Sequence, residues 1–127
     1  MNNFHVLFVD DEEELVSTLV ERLEYRGIIA DYATNGDKAL EKLHHEKYDI
    51  IVIDLKLPGL SGEELIHLVN KSYPNLPVLM ITGHGSGKDG SFEKPNGVYE
   101  LLQKPINISL LIKKMKEAIV ANELGYQ

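Results

Sequence analysis

The chain reads as an α/β domain in which a five-stranded parallel sheet carries helices on both faces. Three observations predict it. Short aliphatic runs recur along the chain: Val6-Leu7-Phe8-Val9, Ile50-Ile51-Val52-Ile53, Val78-Leu79-Met80-Ile81 and Leu101-Leu102. Continuous apolar runs of this length suit strands that are buried on both faces, as in a parallel sheet. Amphipathic segments separate the runs, and β and α in alternation, joined by right-handed crossovers, make a doubly wound sheet. Finally, the runs end in polar residues suited to phosphoryl chemistry: Asp10 and Asp11, Asp54, Thr82 and Lys104.

The first strand runs into Asp10. From Glu12 to Arg26 a helix is predicted, with Leu15, Leu19 and Leu23 on one stripe, Val16 and Val20 beside it, and Gly27 as the cap. Ile28 to Ala33 reads as the second strand and Asn35-Gly36 as a turn. Asp37 to Glu46 then reads as a helix that buries Ala39, Leu40 and Leu43. The third strand ends at Asp54, and Lys56-Leu57-Pro58-Gly59 makes a loop. Ser61 and Glu64 have the spacing of a capping box, which opens a helix carrying Leu65, Ile66, Leu68 and Val69. After the fourth strand, Pro105 stops the fifth from continuing regularly. Asn107 can cap a last helix with Ile108, Leu111, Met115 and Ile119 inside, ending near residue 121 before a short tail.

Five such strands fit the order 2-1-3-4-5, whose switch point lies between strands 1 and 3. Those strands end in Asp10, Asp11 and Asp54. Topology therefore puts the binding crevice where the carboxylates stand.

At 127 residues the chain fits one domain, residues 1–127. The absence of cysteine excludes a disulfide framework or thiolate metal site, so any metal is held by oxygen or imidazole. A net charge of −7 gives no reason to expect direct binding to nucleic acid or to an anionic membrane. Without a positive amino-terminal region or a membrane-length apolar run, a cytoplasmic protein is expected.

Asp10 and Asp11 have an ordinary explanation as acids that cap the first helix and favour its dipole. Asp54 is harder to explain so, because it directly follows an apolar strand. Clustered carboxylates repel unless a proton or cation compensates them. Mg²⁺ suits such a site, since it takes a few carboxylate oxygens, keeps waters and leaves room for a phosphoryl group. Lys104 is either a solvated lysine or the partner of Asp54 and a phosphoryl oxygen. Thr82 would supply a hydroxyl from the strand between.

Leu7-Phe8-Val9-Asp10-Asp11-Glu12, Ile53-Asp54-Leu55-Lys56-Leu57-Pro58-Gly59, Ile81-Thr82-Gly83-His84 and Leu102-Gln103-Lys104-Pro105 together resemble the receiver domain of bacterial two-component response regulators. The resemblance covers nearly the whole chain and implies the flavodoxin-like arrangement. By it, Asp54 is the phosphoacceptor, while Asp10, Asp11, Asp54 and the backbone carbonyl of Lys56 hold Mg²⁺. Thr82 and Lys104 would bind the phosphoryl oxygens, with Lys104-Pro105 a cis peptide. Lys56 and His84 would flank the site and tune hydrolysis. The implied partner is a sensor histidine kinase or a histidine phosphotransfer protein; a downstream protein or effector domain and a homodimer are compatible with it.

Two departures stand out. Where many members carry an aromatic switch residue beside the Thr82 site, this chain has Leu101; Tyr99, two residues earlier and on the same strand side by alternation, offers a substitute, but the plainer reading of it is a surface tyrosine. From Gly83 to Gly97 there are five glycines and Pro95, with no apolar stripe, so the family's fourth helix is expected to be short, distorted or mobile.

Gly83-His84-Gly85-Ser86-Gly87-Lys88 fails as a phosphate-binding P-loop, because Thr82 holds the first glycine position and Asp89 follows the lysine. His44 and His45 are adjacent on a helix, and His5 and His67 lack ligand spacing, so they are read as structural or solvated. The rival functions are a Mg²⁺-dependent aspartyl-phosphate phosphatase and a scaffold without the chemistry. Lys56, where such phosphatases want a second acid, argues against the first, and the intact set Asp10, Asp11, Asp54, Thr82 and Lys104 against the second.

Overall fold

A computed structural model describes residues 4–83 and 94–125. Among these, the strands are β1 (His5–Val9), β2 (Ile29–Ala33), β3 (Ile50–Asp54), β4 (Val78–Thr82) and β5 (Glu100–Gln103). The helices are α1 (Glu13–Glu24), α2 (Gly36–His45), α3 (Gly62–Ser72) and α4 (Ile108–Glu123). The sheet order is β2-β1-β3-β4-β5 and every pairing is parallel. The order expected from β/α alternation is the one observed.

The apolar runs are continuous because both faces of the sheet are covered. Side chains alternate between faces along a strand. Val6, Phe8, Val52, Leu79 and Ile81 therefore pack with Val16 and Leu23 of α1 and Leu111 and Met115 of α4. Leu7, Val9, Ile51, Ile53 and Met80 pack on the other face with Ala39 and Leu43 of α2 and Leu65 and Val69 of α3. Leu111 and Met115 are completely buried, and full burial of such a side chain stabilises by about 1.5–3 kcal/mol. Caps are worth about 1 kcal/mol each, so packing holds the helices and capping sets their ends.

The capping box of Ser61 and Glu64 forms with both bonds, at 3.1 and 3.0 Å. Asn107 caps α4 through a bond from Leu110 N–H at 3.0 Å. Gly27 takes the positive φ of 80° that a left-handed cap requires.

Several local expectations change. Asn35 is more than a turn residue, because its side chain accepts the Lys38 N–H at 2.8 Å and caps α2, which starts at Gly36. Leu15 is half exposed, since α1 is rotated so that Val16, Val20 and Leu23 face the sheet. One position along a helix turns a side chain by about 100°, enough to move Leu15 off the buried stripe. The last helix runs to Glu123, slightly beyond residue 121. Leu101 and Tyr99 do not share a face: Leu101 packs with the α2–α3 cluster and Tyr99 with the α1–α4 cluster. Tyr99 precedes β5, so strand alternation does not govern it. The expectation for residues 83–97 falls largely on 84–93, outside the described residues.

Candidate functional site

The register of the sheet lines up the ends of the strands. Val9 pairs with Ile53, so Asp10 and Asp54 stand side by side at the carboxyl ends of β1 and β3. Asp54 pairs with Ile81, and Thr82 with Gln103, which puts Thr82 and Lys104 on the same edge. The backbone continues the row: Leu55 N–H donates to the Ile81 carbonyl and Lys104 N–H to the Thr82 carbonyl, both at 2.8 Å. The Lys104-Pro105 peptide is cis, as the resemblance implied.

Lys104 is the centre of the cluster. Its Nζ lies 3.1 Å from Asp54 Oδ2, 3.2 Å from Asp10 Oδ2 and 2.7 Å from Glu12 Oε1. Asp10 and Asp54 are buried acids. Asp10 Oδ1 accepts the Glu12 N–H at 2.9 Å, and Asp54 Oδ1 accepts the Lys56 N–H at 3.1 Å. Asp10 thus holds the backbone at Glu12 and faces the pocket, but neither it nor Asp11 caps α1, whose N-terminus has no side-chain cap hydrogen bond.

Burial raises the Asp10 pKa above the ordinary carboxylate value. The Glu12 N–H opposes that shift, the nearby Asp54 charge adds to it, and Lys104 opposes it. Burial also works against the Lys104 ammonium, but its hydrogen bonds to Glu12 and Asp54 and the charges of Asp10 and Asp54 outweigh that, holding its pKa above the usual lysine value. Mutual repulsion of acids and retention of an ammonium have one cause: excess negative charge in a partly dry pocket.

The donor chemistry fits a hard divalent cation. Asp10, Glu12 and Asp54 each offer a carboxylate oxygen, and the three atoms lie within 4.8 Å of one another. One ammonium against three carboxylates leaves two negative charges, which a single Mg²⁺ would balance. When bound, the ion would neutralise charge developing on a transferred phosphoryl group.

Not every expected residue enters this cluster. Asp11 is exposed beside it and outside the three-oxygen group; the Lys56 side chain is exposed, its expected place among the ligands resting on its backbone carbonyl. Thr82 is buried on the same edge, with a long 3.4 Å bond from its hydroxyl to the Gly83 carbonyl. Leu101 lies away in the α2–α3 cluster. His84 lies outside the described residues. Glu12 was missed: as the third acid of an acidic run it read as a helix-start residue. The available signal was its spacing, two residues from Asp10, where an aspartate carboxylate can fold the backbone back on itself.

Comparisons with known proteins agree with the geometry. The family model for the response regulator receiver domain matches residues 6–116. The transcriptional regulatory protein GlrR of Escherichia coli (strain K12) is 32% identical over 115 residues, spanning 91% of this chain and 26% of that protein. A CheY-like receiver domain protein from Methanospirillum hungatei JF-1 superposes with a TM-score of 0.85 at 28% identity, covering 96% of this chain and 98% of that one. NtrX from Brucella abortus, in complex with ADP, superposes with a TM-score of 0.87 at 28% identity, covering 97% of this chain and 28% of that one.

The chain thus spans about a quarter of most of the curated relatives it matches and about half of another, and several of them are named as transcriptional regulators. The expectation of no nucleic-acid contact, drawn from the acidic average, therefore does not extend to a longer regulator. Among the described residues no helix is long and apolar enough to cross a membrane. Matched over most of its length by the family model, and with its acids and lysine gathered at the switch point of the sheet, this chain belongs to the response regulator receiver domains of two-component systems.

Proposed function

We propose that this chain, as a single domain over residues 1–127, is a phosphorylation-controlled switch in the cytoplasm, with Asp54 as phosphoacceptor. The phosphoryl group would come from a phosphohistidine on a sensor histidine kinase or a histidine phosphotransfer protein, in a Mg²⁺-dependent reaction. An Asp54 carboxylate oxygen attacks phosphorus, the P–N bond breaks, and the electron pair returns to the donor imidazole. Water later attacks the same phosphorus, breaking its bond to the Asp54 oxygen and releasing inorganic phosphate. The domain takes part in its own phosphorylation and reset, and its output is a changed surface.

The observation that carries this reading is the shared ammonium. Lys104 Nζ stands 3.1 Å from Asp54 and 3.2 Å from Asp10, so a positive charge is already in place where negative charge builds up on transfer. Such a transition state is loose and in line, and positioned charge is the main help a protein gives it. Asp10, Asp11 and Asp54, with the Lys56 carbonyl, are assigned to the cation, and Thr82 and Lys104 to the phosphoryl oxygens. Lys56 and His84 are assigned to tuning hydrolysis, and Thr82 with Leu101 to the switch.

Incubation with Mg²⁺ and acetyl phosphate tests the proposal. Mass spectrometry should find one hydroxylamine-labile phosphoryl adduct, lost in Asp54→Asn and on chelation of the metal. No adduct on the wild-type chain, or one that survives Asp54→Asn, refutes it. Rapid multiple turnover would favour the phosphatase instead.

A further inference from the structure

Glu12 is the exposed member of the cluster, and beyond the carboxylate oxygen it offers to a cation the phosphoacceptor reading gives it no task. Its Oε1 is the nearest acceptor of the Lys104 ammonium, at 2.7 Å, closer than Asp54 at 3.1 Å and Asp10 at 3.2 Å. Although Glu12 occupies the N-cap position of α1, its side chain makes no capping hydrogen bond. Instead Asp10 Oδ1 takes the Glu12 N–H at 2.9 Å, which turns residue 12 back over the pocket. The Glu12 side chain is 58% exposed, against 10% for Asp10, 7% for Asp54 and 16% for Lys104. It stands at the mouth, and the others form the floor.

We propose that Glu12 is a positioning residue, which holds the Lys104 ammonium at the pocket mouth and competes for it with the phosphoryl group on Asp54. The inference rests on the phosphoacceptor reading above. A lysine ammonium has three donors, and in this structure three carboxylates surround it. Phosphorylation of Asp54 replaces its carboxylate charge with a phosphoryl group carrying close to two negative charges, a net gain of about one, and sets strong acceptor oxygens at the same place. One phosphoryl oxygen can take the place of the Asp54 carboxylate, but for Lys104 to serve a second it must also give up Asp10 or Glu12. Water can replace the ammonium at exposed Glu12 with least loss, whereas at buried Asp10 it has little access. The Glu12–Lys104 contact is therefore the one that opens, and its strength opposes the phosphorylated state. Glu12 gains and loses no covalent bond in this cycle.

Reach and charge can be separated by substitution. Glu12→Gln removes the charge, whereas Glu12→Asp keeps the charge but is one methylene too short for the contact. The test is titration of the full chain with beryllofluoride, a phosphoryl mimic, at saturating Mg²⁺, followed through amide resonances. Glu12→Gln should tighten binding by up to about fivefold, the upper end of what an exposed ion pair supplies, and Glu12→Asp should recover at least half of that gain. Wild-type affinity in Glu12→Asp would show that Glu12 acts by charge alone; unchanged affinity in Glu12→Gln would show that it does not act. Either result overturns the inference.

A metal-free urea-unfolding cycle over Glu12→Gln, Lys104→Met and the double variant gives an independent readout. Favourable coupling is expected, and zero coupling contradicts the proposal. The acetyl phosphate assay on wild type runs alongside. An adduct there with no effect of Glu12 defeats this inference only, whereas absence of both adduct and mimic binding defeats the phosphoacceptor reading and this inference with it.

Discussion

Gly62 packs so tightly against Asp54 that a Cβ at Gly62 would sit 2.6 Å from the Asp54 carbonyl oxygen, and 2.8 Å from that of Leu55. The first residue of α3 thus clamps the loop that leaves the site. Gly62→Ala forces that loop away from β3, and overpacking of this kind costs about 1–3 kcal/mol. Urea unfolding should show the loss, and acetyl phosphate labelling of Asp54 should slow under conditions where the variant is still folded. An unchanged midpoint and rate would show that the loop yields without consequence.

Replacing Lys104 with Met leaves Asp10, Glu12 and Asp54 without their shared cation. Without metal, Lys104→Met should be less stable than wild type, because the acids then repel unopposed. Mg²⁺ should raise its melting temperature more than that of wild type, since no ammonium competes and tighter binding gives a larger stabilisation at equal metal. Equal rises would contradict competition between ammonium and metal. Thermal unfolding in chelator and across a Mg²⁺ series is the measurement.

At the opposite edge of the sheet, Tyr48 O–H donates to Asp31 Oδ2 at 2.9 Å and to Glu46 Oε2 at 3.2 Å. Burial, then the hydrogen bonds and charges of Asp31 and Glu46, raise its pKa above the ordinary tyrosine value. A raised folded-state value favours the neutral phenol in the folded protein. Its stabilising contribution is whole below the unfolded tyrosine pKa of about 10 and is lost as pH climbs above it. Tyr48→Phe should therefore be less stable than wild type at about pH 8, and the gap should narrow by about pH 11. A gap that stays constant over that range would contradict the assignment.

Asn107 caps α4 two residues after the cis Lys104-Pro105 peptide. Asn107→Ala leaves the Leu110 N–H without that acceptor and should cost about 1 kcal/mol in chemical denaturation. Because α4 is held mainly by buried Ile108, Leu111, Met115 and Ile119, the helix should persist by circular dichroism. Loss of helical signal at neutral pH would mean that the cap governs more than the end of α4.

The central strands β1, β3 and β4 were legible because they are buried on both faces, so their apolar runs are unbroken and hard to mistake. Ser61 with Glu64, and Asn107, were legible because caps are local chemistry, set by residues a few positions apart. Asp10, Asp54, Thr82 and Lys104 could be placed at strand ends from the same runs. What periodicity could not supply was the rotation of each helix on the sheet. It left Leu15 exposed, although its spacing on α1 suited the core.

The amino-acid order by itself determined the β/α alternation, the switch point and which polar residues stand at the carboxyl ends of the strands, because burial periodicity and capping act over short stretches of chain. Only the tertiary structure decided that Glu12, rather than Asp11, joins Asp10 and Asp54 in the three-oxygen group, and that Tyr99 and Leu101 pack on different faces. Glu12 meets Lys104 across 92 positions of sequence. Such an encounter depends on sheet register and on the direction of one backbone turn, and no local pattern encodes either.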